Sequence, residues 1–298
     1  MSTIEVVTQG ANEVEALEAG LDSLTATRVR NSSGLKRIQK QILAIVPSIL
    51  AVAFLLFVWT ALVHFKVRPS SSLPSPIQVG HSAAKLLHEG ILWKAVGNSL
   101  RRAALGFLAS VIVGTVLGLT LVRFRLFRLA IGPIISGLQS LPSVAWVPAA
   151  IIWFGVNDEA VYTVVLFGAV PSIATGLHAG VRQIPPLYVR VGQIIGARGF
   201  GNLRFIVLPA ALPSFFAGLR QGWAFSWRAL MAAELITSTP GLGNSLGQLL
   251  QSGKRLSNMS LVLTAIILIL VVGVGIESLV FGPIERRILR TRGLSGDS

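Results

Sequence analysis

Charged residues occur in clusters along this chain, separated by apolar windows too long for an ordinary buried core helix. Gln41–Phe65, Ala103–Val122, Leu129–Asn157, Ala160–Val181 and Leu256–Ile276 contain no Asp, Glu, Lys or Arg. About 20 apolar residues in a helix cross the hydrocarbon core of a bilayer, and an ionised side chain there costs several kcal/mol. A sixth stretch, Phe205–Ile236, is interrupted by Arg220, Arg228 and Glu234 and reads as the fifth span in order. The pattern predicts an all-α membrane protein with six transmembrane helices. Pro142, Pro148 and Pro171 are expected to kink the helices that hold them.

Composition agrees with a lipid environment. Hydrophobic residues make up 52% of the 298 positions and charged residues 13%, with a formal net charge of +14. No cysteine occurs, which excludes disulfides, thiolate metal sites and Cys nucleophiles. The four histidines, His64, His81, His88 and His178, show no metal-ligand spacing. Nothing in the spans supplies a nucleophile with its base, so no catalytic residue is assigned and a transport role is expected. The basic excess forms no stripe interleaved with aromatics, which argues against nucleic-acid binding.

The positions of the basic residues orient the spans. With a cytoplasmic N-terminus, the inner segments hold 16 Lys and Arg and the outer segments hold 8, which favours both termini inside. Residues 1–38 then form a cytoplasmic tail, with Glu5, Glu13, Glu15, Glu18 and Asp22 ahead of a basic run; this composition predicts disorder. Residues 39–66 hold the first span. Residues 67–102 are external, with a turn at SSSLPSPIQVG and an amphipathic stretch HSAAKLLHEGILWKAVGNSL suited to the interface. Residues 103–284 form the membrane core and 285–298 a cytoplasmic tail.

Within the core, residues 182–209 make a long basic loop between the fourth and fifth spans. Pro185 and Pro186 end one helix and begin a short one, and Gly196 is placed to close that helix with a positive φ. A second short helix is expected from about Phe200, with Pro209 in the first turn of the next span, where its missing N–H costs nothing. Two short helices presented below the membrane would fit a cleft in a partner and transmit its rigid-body motion.

Gly196, followed by Ile206-Val207-Leu208-Pro209, resembles the cytoplasmic coupling loop of binding-protein-dependent ABC importer permeases. The resemblance extends over roughly residues 70–292. ALPS, GLR, AAE and GLG recur in this order downstream of the loop, and LPSP, IIWFG and GVR upstream of it, as in permeases for aliphatic sulfonates, taurine, nitrate and bicarbonate. It implies a type I ABC importer permease fold in a bacterial cell (inner, cytoplasmic) membrane. A second copy, two ATP-binding subunits and an external or lipid-anchored solute-binding protein would complete the assembly. The chain lacks a G-x-x-x-x-G-K-[ST] loop, so ATP and Mg belong on the separate subunit and no cofactor is expected here. The loop residues assigned to coupling are Arg190, Val191, Gly192, Gly196, Ala197, Ile206, Leu208 and Pro209. The family's loop usually opens on Glu-Ala-Ala, and here those positions hold Arg190, Val191 and Gly192, so a carboxylate has become a guanidinium.

Candidates for the substrate pathway are Arg228, Glu234, Trp227 and Trp146. Arg228 would lend positive potential to an anion; Glu234, about 240° away around the helix, would pair with a neighbouring helix or shape the outer gate. The alternatives are a structural ion pair or a snorkelling arginine, and packing or interface roles for the tryptophans. Arg101 and Arg102, at the outer end of the second span, would draw anions or serve as anchors. Expected cargo is a small anion, with a vitamin precursor as the alternative within the family and an ATP-independent secondary transporter as the alternative outside it.

Overall fold

The computed structural model describes residues 33–197, 199–237 and 243–291, so most of the expected N-terminal tail lies outside the described residues. The chain divides at Val67/Arg68 into two units. In the first, α1 (Ser33–His64) is one helix of 32 residues with Pro47 inside it. Leu50, Phe54, Leu55 and Phe57 are all exposed along its apolar part, as a surface facing lipid requires.

The second unit begins with α2 (Pro76–His88), whose start is written in the sequence. The Gln78 N–H donates to Ser75 Oγ at 3.3 Å, the Ser75 N–H donates to Gln78 Oε1 at 2.9 Å, and Pro76 occupies the first turn. Gly90, at φ +69°, separates α2 from α3 (Ile91–Arg123). The second span was expected from Ala103, but its helix starts twelve positions earlier, so Arg101 and Arg102 lie inside it.

The third window is not one helix. α4 (Arg125–Ser140) stops at Leu141-Pro142, and a 3-10 turn (Ser143–Trp146) leads into α5 (Val147–Phe154), bent by 102° from α4. Pro142 cannot donate a helical hydrogen bond and disfavours helix in the residue before it, which breaks the span. Pro148 was expected to kink a helix and instead lies in the first turn of α5, while Pro171 does sit inside α6 (Asp158–Arg182).

After α6 come α7 (Pro186–Ile194), a short helical turn (Phe200–Asn202) and a π turn (Leu203–Val207) that passes directly into α8 (Leu208–Ile236). The expected second short helix is thus the entry to the span, with Pro209 in the first turn of α8. An amphipathic helix, α9 (Leu246–Arg255), folds back against α10 (Met259–Ile276), which runs through a second π turn (Glu277–Phe281) into α11 (Gly282–Arg290).

Among the described residues, four helices are long and apolar enough to cross a membrane, and five segments if the bent pair counts as one. α8 has the length, at 29 residues, but its polar side chains leave it outside that measure.

α6 is the centre of the bundle. Gly106, Gly114 and Gly118 of α3 lie against Val165, Ile173 and Leu177, so both partners advance together and the helices run parallel. On its other side, Gly168, Gly176 and Gly180 of α6 meet Ala229, Gly218 and Ala211 of α8 in descending order, so these two run antiparallel. A Cβ on Gly176 would fall 2.5 Å from the Gly218 Cα. In lipid, where apolar faces gain little from leaving the solvent, such close backbone approach is what lets helices gain dispersion energy from each other. The opposite face of α3, with Leu105, Leu108, Ile112 and Val116, stays exposed.

Candidate functional site

The connector between α6 and α8 forms a knob with a defined end. α7 closes in a Schellman arrangement: the Gly196 N–H donates to Gln193 O at 3.2 Å and the Ala197 N–H to Gly192 O at 2.8 Å. Gly196 has φ +87°, a conformation that strains residues with a Cβ, and the space around it is open. Gly192 is buried where α7 meets the π turn, and a Cβ there would overlap Ile206 Cδ1. Leu187, Tyr188, Val191, Ile194 and Ile195 are exposed, and their spacing puts them in one stripe along α7. Arg190 is exposed at the edge of that stripe, one helical turn from Ile194. Of the remaining loop residues, Leu208 is exposed and Pro209 stands in the first turn of α8. The knob is therefore continuous with α8 through the π turn, and α7 packs on that turn through the Gly192–Ile206 contact.

Further along α8, Ala217, Arg220, Gln221 and Arg228 share an exposed face. Its two arginines have different surroundings. Arg220 Nε donates to Glu277 Oε1, and Nη1 donates to Glu285 Oε2 at 2.7 Å, tying α8 to the C-terminal helix. Arg228 has no carboxylate partner among the described residues. Its Nε donates to Ala224 O in its own helix at 3.0 Å, and its guanidinium lies 4.7 Å from the centre of the Phe225 ring. It borders a cavity of about 440 Å³ at the break in the third span, with Gln139, Ser140 and Ser143 also in the wall. A broken helix is tolerated at membrane depth where it lines protein or a polar cavity, and this one places serine and amide groups opposite a cation.

The other pathway candidates lie elsewhere. Glu234 does not join Arg228 at that cavity; it is buried at 3% exposure in a network between four helices. It accepts from Ser99 Oγ at 2.8 Å, Arg102 Nη1 at 3.3 Å and the Gly247 N–H at 3.1 Å. Arg102 Nε also donates to Asp158 Oδ1 at 2.9 Å, and Ser99 Oγ accepts from the Leu246 N–H at 3.0 Å. This places Arg102 in the interior, in contrast to the anchoring or anion-drawing position expected of it; its two carboxylate partners compensate the buried charge. Ser99 and Asp158 drew no attention in the sequence, although Ser99 and Arg102, three apart, share a helix face. Trp227 is buried and stacks on Trp223 with centroids 6.2 Å apart, and Trp223 in turn meets the rings of Phe107 and Phe281. Trp146 stacks on Phe167 at 4.4 Å, and Phe167 lines the Arg228 cavity, so Trp146 braces its wall from behind.

Residues 106–289 match the family model described as binding-protein-dependent transport system inner membrane component. The taurine transport system permease protein TauC of Escherichia coli (strain K12) is 30% identical over 223 residues, which is 72% of this chain and 81% of that protein. The putative aliphatic sulfonates transport permease protein SsuC of Bacillus subtilis (strain 168) is 26% identical over 272 residues, 91% of this chain and 95% of the relative. The fold is similar to a chain of the MetNI methionine ABC transporter in an inward-facing conformation, with a TM-score of 0.55 at 20% identity over 66% of this chain and 96% of that one.

Proposed function

We propose, on the premise that this chain belongs to the family of binding-protein-dependent transport system inner membrane components, that it is the permease subunit of an ATP-driven importer of a small anion of the sulfonate type. It performs no chemical step. Two copies enclose the pathway in the cell membrane, each docked through α7 on an ATP-binding subunit that carries ATP and Mg, and an external binding protein delivers the solute. α8 counts as a span in this reading, which gives six with α1, α3, the bent α4–α5 pair, α6 and α10. The excess of Lys and Arg on the α7 side supports cytoplasmic termini.

The observation that carries the choice of an anion is the contrast along α8. Arg220 is neutralised by Glu277 and Glu285, while Arg228, on the same face, makes no ion pair among the described residues and borders a mainly apolar cavity whose polar groups are Gln139, Ser140 and Ser143. A guanidinium is kept at membrane depth at a cost, and a passing sulfonate or similar oxyanion is the complementary charge. α7 supplies the drive. Closure of the ATP-binding subunits moves the knob, and the unbroken π turn transmits that displacement to the helix bearing Arg228.

The test is uptake by vesicles holding the complete complex and its binding protein. ATP-dependent accumulation of labelled taurine or an alkanesulfonate is the expected result. Accumulation that proceeds equally with a non-hydrolysable ATP analogue overturns the importer reading, and ATP-driven uptake of a cationic or neutral solute in its place overturns the anion.

A further inference from the structure

The knob carries an unusual balance of charge. Between Glu159 and Glu234 the chain has no Asp or Glu at all, while residues 182–209 contain Arg182, Arg190, Arg198 and Arg204. Arg190 is exposed and has no carboxylate partner among the described residues. It stands at the edge of the apolar stripe formed by Leu187, Val191 and Ile194, whose exposures are 64, 45 and 83%. A stripe of this kind on a short helix, left open to solvent, is a surface built to be covered. Its cover must also place something beside the guanidinium, because a charged group taken out of water at an interface without a counter-charge weakens the complex.

We infer that the ATP-binding subunit receives α7 in a cleft with an apolar floor and a rim carboxylate, Asp or Glu, set against Arg190. This rests on α7 being the docking element and adds the charge of the surface it meets. A guanidinium selects a carboxylate by two parallel N–H···O bonds, so the contact fixes the rotation of α7 in the cleft as well as its occupancy. It also confers choice of partner. A cleft with an arginine at that rim would be repelled by Arg190, so this permease discriminates against ATP-binding subunits built for a loop with a carboxylate there.

The experiment uses the full-length chain, tagged and purified from its native membranes with its companion subunit. Arg190→Glu is expected to lower the copurified ATP-binding subunit at least tenfold with the permease yield unchanged, and Arg190→Lys to retain it. The Arg190→Lys variant is also expected to form a zero-length carbodiimide cross-link to an Asp or Glu of the companion, mapped by mass spectrometry. Ile194→Asp serves as the control on docking itself. If Ile194→Asp strips the companion while Arg190→Glu keeps it and no cross-link forms, the rim carboxylate is refuted and docking through α7 stands. If Ile194→Asp leaves the companion bound, the docking reading fails and the rim inference falls with it.

Discussion

Arg102 and Glu234, 132 positions apart in the chain, meet at 3.3 Å in the interior of the bundle, with side chains 6% and 1% exposed. The pair joins α3 to α8. Ser99, Asp158 and the first N–H groups of α9 join it, so one cluster fixes three long helices and α9 relative to one another. It lies at the Asp158 end of α6, about 36 Å along the helix from Arg182, where the knob begins.

Glu234→Ala is expected to destabilise the fold by about 3–5 kcal/mol, because it leaves Arg102 buried with half its compensation. Glu234→Gln keeps one acceptor oxygen for Ser99 but turns the other into a donor facing Arg102 or the Gly247 N–H, and fills the site, so it costs less than the alanine change. The double variant Arg102→Met with Glu234→Met should be closer to the parent than either single alanine change. Thermal unfolding midpoints in detergent check this, and equal midpoints for parent and Glu234→Ala would show that the network contributes little.

Gly176 and Gly218 are where α6 and α8 come closest. Gly176→Val should overpack that crossing by roughly 1–3 kcal/mol or force the helices apart, with lower yield of folded protein. Gly132→Ala and Gly137→Ala, where an added Cβ meets nothing within 4 Å, are the matched controls and should behave as the parent. Monodispersity on size-exclusion chromatography distinguishes the outcomes.

Gly196→Val places a β-branched residue at φ +87°, a strain of about 1–3 kcal/mol confined to the end of α7. The expected phenotype is ATP hydrolysis that no longer drives uptake, or loss of the companion subunit. Gly196→Asn, which tolerates the left-handed region better, should retain more coupling. Normal uptake by the valine variant would remove Gly196 from the coupling role. Gly192→Leu is a second probe of the same joint, since it must push Ile206 and the π turn away from α7.

Arg228→Ala should lower uptake of an anionic solute by about tenfold or more, the equivalent of a charge-assisted contact of about 1.5–3 kcal/mol, with little change in thermal midpoint. Among the described residues Arg228 borders a cavity and bonds within its own helix, so the fold of the chain does not depend on it. An uptake rate equal to the parent's would leave it a structural residue.

The chain contains no cysteine, so single cysteines report sidedness without background. Gln193→Cys, on α7, should react with an impermeant maleimide only in inverted vesicles, and Ser257→Cys, between α9 and α10, only in intact cells. Labelling of Gln193→Cys from outside would reverse the topology.

The apolar windows placed the long helices because span length depends on local composition, which a sequence displays directly. The end of α7 was also legible: Pro186 and Gly196 act through their own backbone preferences, and the Schellman bonds followed. Pro142, a local breaker, divided a window that its charge-free composition left whole. What was not local is the fate of Arg102, which lies within α3 and meets Glu234 and Asp158 of other helices.

Sequence alone thus determined that the chain lives in lipid, where its long helices lie and which loop ends on a left-handed glycine, since each depends on side-chain transfer energies and local dihedral preferences. Only the tertiary structure decided which charges are compensated. Arg220 and Arg228 are the same residue eight positions apart on one helix, and what separates them is whether Glu277 and Glu285 of another segment arrive beside the guanidinium. Electrostatic energy depends on distance through space, and that distance is set by helix packing such as that of Gly273 of α10 on Trp227 of α8, which no window of sequence contains.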